Sequence, residues 1–211
     1  MPALQASDKT TQSARRRRPK PGHGSIHVIT GPMFSGKSEA TLREMRRWMV
    51  ARRRVMVIRP SVDLRHADAE VHTYDGTTFP ATVVCSSAEI VPLVRKRAAD
   101  VVAIEEAQFF DAGIVDVVRH LADRGIVVII NGLNQDAFGE PFGPMPYLLA
   151  CADTVSCLTA VCNTCGEAAT KSQRLRADGT PVPRSGAPTI EVGGHGDDKY
   201  EARCRVHHVV P

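Results

Sequence analysis

Eight consecutive residues, Gly31-Pro32-Met33-Phe34-Ser35-Gly36-Lys37-Ser38, carry the spacing G-x-x-x-x-G-K-[ST]. Glycines at these places let the backbone curl so that its N–H groups face one point, and the positive end of a following helix dipole adds to the pull on an anion. In such a cradle Lys37 is expected on the β- and γ-phosphates of a nucleotide, ATP, and the Ser38 hydroxyl on Mg²⁺. A second chemical signal is Glu105-Glu106, which follows the apolar run Val101-Val102-Ala103-Ile104. One carboxylate near Mg²⁺ and another able to take a hydroxyl proton is the pairing that phosphoryl transfer to an alcohol needs. A third is Cys162-x-x-Cys165 with Cys204-x-x-His207, whose spacing suits one tetrahedral Zn²⁺ in a closed, structural Cys₃His shell. His208 is a rival fourth ligand; the matching two-residue gaps favour His207. Cys85, Cys151 and Cys157 read as ordinary apolar positions.

These groups need a frame that brings them to one place. From Ser25 onward, short β-branched runs alternate with helical patterns, which predicts βαβ units around a mainly parallel sheet. Strands are expected at Ile26 to Thr30, Val55 to Ile58, Val101 to Ile104 and Ile126 to Ile130, with an edge at Thr154 to Leu158. Leu42, Met45 and Met49 recur at helical spacing, as do Ile114, Val117, Val118 and Leu121, so each set should form a buried stripe. The acidic pair then emerges at the carboxyl end of its strand, beside the phosphate cradle. Near Leu158 the alternation gives way to a tail rich in Cys, Gly and Pro. The expected division is therefore a basic arm over 1–24, an α/β phosphate-binding domain over 25–158 and a small zinc-binding unit over 159–211. Within that unit, Arg176 to Pro188 reads as an extended loop between two short strand-like pieces.

The chain has 211 residues, 43% of them hydrophobic and 24% charged, values of an ordered globular protein. Its formal net charge of +4 is matched by Arg15, Arg16, Arg17 and Arg18 alone, in a stretch without apolar periodicity that reads as a solvated arm. No apolar run approaches the roughly 18 residues of a membrane span, and the N-terminus has no secretory apolar core, so the expected location is the cytoplasm, with reduced thiols.

The same residues resemble a known family over nearly the whole stretch from Ser25 to His208. The marks are Gly-Pro-Met-Phe-Ser-Gly-Lys-Ser from Gly31, Glu-Ala-Gln-Phe-Phe from Glu106, Glu-Pro-Phe-Gly-Pro-Met-Pro from Glu140, Leu-Thr-Ala-Val-Cys from Leu158 and Lys-Tyr-Glu-Ala-Arg-Cys-Arg from Lys199. Together they are similar to thymidine kinases of the human cytosolic and common bacterial type. The resemblance implies a RecA-like P-loop domain, a zinc-anchored lasso loop that closes over the nucleoside, a homotetramer, and feedback inhibition by thymidine triphosphate. It implies Glu106 as the general base for the 5′-hydroxyl of thymidine, and Glu105 beside Mg²⁺. Met33, Phe109, Leu133, Phe142 and Tyr200 match positions lining the thymidine pocket, and Ser172 falls where the family usually has Thr. Asp63 and Arg65 match a D-x-R near the phosphates, and Val192 and Gly193 fall on the lasso.

Three departures stand out. Glu105 occupies a position usually held by Asp, and reaches one methylene further. Asn134-Gln135-Asp136-Ala137-Phe138 replaces a usual Asp-x-Asp-Phe-Arg, and the turn from Gly193 to Asp198 is longer than usual. The rival reading is a nucleic-acid-dependent P-loop ATPase with a zinc ribbon. It calls for a basic groove interleaved with aromatics, whereas aromatics are 5% of the chain and the basic run lies in the arm, so no nucleic-acid partner is expected.

Overall fold

The computed structural model describes residues 23–61, 70–72, 78–185 and 199–211. In chain order the elements are β1 (Ser25–Thr30), α1 (Lys37–Val50), β2 (Val55–Pro60), β3 (Glu70–His72), β4 (Thr78–Pro80) and β5 (Thr82–Val84). There follow α2 (Ile90–Arg97), β6 (Val101–Ile104), α3 (Ile114–Asp123), β7 (Val127–Gly132), α4 (Met145–Cys151) and β8 (Thr154–Cys157). The tail adds β9 (Ala160–Val161), β10 (Ala168–Ala169), β11 (Lys171–Leu175) and β12 (Lys199–Arg203).

Six strands form one parallel sheet in the order β5-β2-β6-β7-β1-β8. The central strands are apolar on both faces because both are covered by helices, the rule for parallel sheets. On one side Ile90, Val94, Ile114, Val118, Leu121, Met145 and Leu148 of α2, α3 and α4 pack on Val28, Ile58, Val102, Ile104, Val128 and Ile130. On the other, Leu42 and Met45 of α1 pack on Ile29, Val57, Val101, Ala103 and Ile129. The α/β class and the mainly parallel sheet expected from the sequence are both present, and the five expected strands fall within two residues of their places.

Two expectations are corrected. Met49 is 45% exposed, and Trp48 joins Leu42 and Met45 against the sheet instead. The stripe runs Leu42, Met45, Trp48 in steps of three, which turns Met49 out of the packed layer. Cys85 and Cys157 are exposed rather than packed apolar positions; Cys157 lies on β8, an edge strand whose four residues are all exposed. Cys151 is partly buried, packed against the α2/α3/α4 side of the core.

The tail has its own small core of Ala160, Cys162, Ala169, Ala202 and Cys204. β11 and β12 pair antiparallel, with Ser172 opposite Ala202 and Arg174 opposite Tyr200. These are the two strand-like pieces expected to flank the loop. The chain leaves β11 through a turn in which Gly179 has φ 83° and its N–H donates to Arg176 O at 2.9 Å. The expected lasso residues Val192 and Gly193, the turn from Gly193 to Asp198, and Asp63 and Arg65 lie outside the described residues.

Candidate active site and metal centre

β1, β6 and β7 all end on one side of the sheet, the side where parallel α/β folds hold their ligands. Thr30, at the end of β1, donates its hydroxyl to Gly132 O of β7 at 2.9 Å and so fixes the start of the phosphate loop. Gly31 is forced: a Cβ there would lie 2.5 Å from Leu158 O. Gly36, at φ 78°, makes the left-handed step into α1 that side chains resist. Within the loop Ser35 Oγ donates to Pro32 O at 2.8 Å, and the buried Lys37 ammonium folds back to the same carbonyl at 2.7 Å. Phe34 is held at φ 66° with its ring 64% exposed.

Glu105 continues the line of β6, its N–H donating to Ile58 O at 2.9 Å. Its side chain is 3% exposed. One carboxyl oxygen accepts from Ser38 Oγ at 3.4 Å, and Oε1 is buried with no hydrogen-bond partner. Burial pushes this carboxyl up to about 7, helped by Glu106 and opposed by Asn131, Ser38 and Arg59. An orphaned carboxyl oxygen beside a hydroxyl at the mouth of a phosphate cradle is a donor set that a hard divalent cation would complete. Mg²⁺ therefore fits these residues.

Glu106 sits at φ 51°, ψ 47° and caps the short 3₁₀ turn Ala107–Phe109. A non-glycine residue rarely adopts that left-handed conformation, and at the end of a strand it re-aims the side chain. Its N–H donates to Asn131 Oδ1 at 3.0 Å, and Asn131 in turn donates to Thr41 Oγ1 at 2.9 Å. Its Oε2 accepts from Gln108 Nε2 at 2.5 Å.

Several residues expected at a nucleoside pocket are brought together pairwise. The Met33 N–H donates to Ser172 Oγ at 2.9 Å, tying the phosphate loop to β11. Phe109 and Phe142 pack edge to face with centroids 5.5 Å apart, and the Leu133 N–H donates to Gln108 Oε1 at 3.0 Å. Tyr200 shares the ribbon face of Ser172, two positions along in register. The unusual segment from Asn134 is a closed turn: Asp136 Oδ1 accepts from the N–H groups of Phe138 and Glu140, both at 2.9 Å.

Cys162, Cys165, Cys204 and His207 converge, their ligand atoms all within 4.8 Å of one another. A tetrahedral zinc with bonds to sulfur of about 2.3 Å sets its thiolates about 3.8 Å apart. Cys165 Sγ lies 3.8 Å from Cys204 Sγ, and His207 Nδ1 lies 3.9 Å from Cys162 Sγ and 3.2 Å from Cys204 Sγ. Burial raises the Cys162 thiol, but backbone hydrogen bonds at Cys204, Thr164 and Cys165 outweigh it and bring it down to about 5, favouring the thiolate a metal needs. The donor set fits zinc. His208, the rival ligand, turns away, its Nε2 lying 2.9 Å from Ala137 O.

Sequence reasoning missed Gln108, Asn131 and Arg59, all buried polar residues around the acidic pair. The signal available was an amide inside the motif from Glu106 and a polar residue closing each apolar strand. Basic residues are also not confined to the arm: at the opposite end of the sheet Arg53, Arg54, Arg95 and Arg124 line a cavity of about 270 Å³.

A family model described as Thymidine kinase matches residues 24–208 of this chain. A thymidine kinase of Thermococcus kodakarensis is 42% identical over 198 residues, covering 91% of this chain and 98% of the relative. One from Deinococcus deserti is 45% identical over 196 residues, covering 89% and 95%, and one from Pyrobaculum aerophilum is 44% identical over 186, covering 87% and 98%. Among solved structures, the Legionella pneumophila ATPase DotB aligns over 61% of this chain and 34% of its own at 18% identity and a TM-score of 0.40, a likeness too slight to build on.

Proposed function

The chain belongs to the thymidine kinase family, and from that premise we propose that Lys37, Ser38, Glu105 and Glu106 form the centre at which the γ-phosphate of ATP passes to the 5′-hydroxyl of thymidine, giving thymidine monophosphate. The observation that carries this reading is the meeting of two motifs far apart in sequence: Ser38 of the phosphate loop lies 3.4 Å from Glu105, whose neighbour Glu106 is aimed by a left-handed backbone step.

The loop Gly31, Pro32, Met33, Phe34, Ser35 and Gly36 holds the phosphates with its N–H groups, and Lys37 balances charge on their oxygens. Mg²⁺, held by Ser38 and Glu105, supplies charge neutralisation when bound. The Glu106 carboxylate accepts the 5′-hydroxyl proton as that oxygen attacks the γ-phosphorus, and the bond to the β-phosphate oxygen breaks to release ADP. Asp63 and Arg65 act on the phosphates. Met33, Phe109, Leu133, Phe142, Ser172 and Tyr200, with Val192 and Gly193 of a lasso, enclose thymidine; water exclusion there directs the phosphoryl group to the alcohol. Zinc on Cys162, Cys165, Cys204 and His207 is structural and anchors a unit spanning 159–211 to a kinase domain spanning 25–158.

On this reading the protein is a phosphotransferase with an alcohol acceptor, a homotetramer in the cytoplasm, inhibited by thymidine triphosphate. That nucleotide joins the base and the phosphates in one molecule and can bridge both half-sites. The deciding experiment is a kinase assay with ATP and Mg²⁺ against a panel of deoxynucleosides, with thymidine triphosphate titrated at varied ATP and thymidine. Thymidine-dependent ADP release with inhibition relieved by both substrates is expected. ATP hydrolysis stimulated by DNA and indifferent to thymidine would overturn the reading.

A further inference from the structure

We infer that Gln108 is a positioning residue for the Glu106 carboxylate, holding it in the orientation that accepts the substrate proton. The inference rests on the assignment of Glu106 as general base. Gln108 is 2% exposed, and a buried amide must find partners for both ends. Its Oε1 accepts the Leu133 N–H at 3.0 Å, and its Nε2 donates to Glu106 Oε2 at 2.5 Å. The orientation of the amide is unambiguous, because a backbone N–H can only donate: the atom facing Leu133 must be the oxygen, which leaves the NH₂ facing Glu106.

Glycines make room for both the side chain and the backbone of this residue. A Cβ on Gly132 would lie 2.6 Å from Gln108 Oε1, and a Cβ on Gly143, itself at φ 50°, would lie 2.2 Å from the Gln108 carbonyl oxygen. The end of β7 and the turn before α4 therefore approach Gln108 closely, as only glycine allows at these two positions. Glu106 is then held at both ends, its N–H by Asn131 and its Oε2 by Gln108. The amide also links the carboxylate to Leu133, so the proton acceptor and the nucleoside wall share one brace.

The test is Gln108→Glu. This change keeps the length and the acceptor for Leu133, but replaces the donor facing Glu106 with a second carboxylate. The expected result is a fall in kcat on the order of 10²-fold, as for a misplaced reacting group, with KM for thymidine nearly unchanged. Gln108→Met, which fills the space without a charge, serves if the first variant does not fold, and is expected to show the same split. In a Glu106→Gln background either change should have almost no further effect on kcat, because the group being positioned is gone. Unchanged kcat in Gln108→Glu, a loss confined to KM, or a loss that persists undiminished in the Glu106→Gln background would each overturn the inference and leave Gln108 a structural brace. Full kcat in Glu106→Gln alone would instead overturn the base assignment on which it rests.

Discussion

His208 reaches across to the carbonyl of Ala137, its Nε2 2.9 Å from that oxygen, although its chain neighbour His207 belongs to the Cys/His cluster. A carbonyl only accepts, so this ring nitrogen carries the proton. The contact links the segment carrying the Cys/His cluster to the turn from Asn134, which Lys171 also holds through Gln135 Oε1 at 2.7 Å. His208→Ala should keep one zinc per chain while KM for thymidine rises about 5-fold, the equivalent of one hydrogen bond of about 1 kcal/mol. His207→Ala should lose the metal. Elemental analysis beside steady-state kinetics checks both, and the reverse pattern of metal loss would make His208 the ligand.

Loss of the proton acceptor and of the phosphate cation should be separable. Glu106→Gln is expected to lower kcat by roughly 10²–10⁴-fold with thymidine affinity preserved. Lys37→Ala should weaken ATP binding as well as turnover, because Lys37 serves phosphate oxygens in the ground state and in the transition state alike. Titration calorimetry with each substrate, read against single-turnover rates, separates the two.

Glu105 gives a pH dependence of defined sign. Its folded-state value of about 7 lies above the ordinary 4.5, so between those limits the folded chain holds a proton that the unfolded chain has lost. Protonation thus favours folding, and stability of the protein without Mg²⁺ or nucleotide should fall as pH rises from about 4.5 to about 7. The full penalty, at most about 3 kcal/mol, applies above that range. Glu105→Gln should flatten this dependence and raise the melting temperature at pH 8, while abolishing the response of turnover to Mg²⁺. Equal pH profiles for the two proteins in thermal unfolding would refute the assignment.

Removing zinc should undo the tail before the sheet. The cluster sits in a small core of its own, whereas the sheet is buried on both faces by α1 on one side and α2, α3 and α4 on the other. Chelation, or Cys162→Ala, should increase hydrogen exchange at β9 to β12 and leave β1, β6 and β7 protected. Simultaneous loss of protection throughout would show a single cooperative unit.

Much of this was legible in the chain itself because its signals are local. Central parallel strands such as Val127–Gly132 read as unbroken apolar runs, and the phosphate loop and the metal knuckles each declare themselves through residues a few positions apart. β5 was not legible, since Thr82–Val84 is three residues long and shows no pattern. Nor was the choice of Trp48 over Met49, because two adjacent residues near a helix end differ by only a fraction of a turn. The buried amides escaped for a different reason. Gln108 finds Leu133 and Glu106 finds Asn131, each 25 residues away, and polar partners at such separations leave no periodic trace in a sequence.

The bond from the Met33 N–H to Ser172 Oγ spans 139 residues and joins the phosphate loop to a strand of the ribbon in the unit that carries the Cys/His cluster. A ligand drawing that loop inward pulls on β11, and one settling against β11 restrains the loop. Whatever free energy passes along that bond must be reciprocal, since coupling between two binding equilibria is the same in either direction. Substitution of Ser172 should therefore register in the Kd for ATP measured with thymidine present and absent, and the ratio of those two constants is the natural gauge of how far the two substrates sense each other.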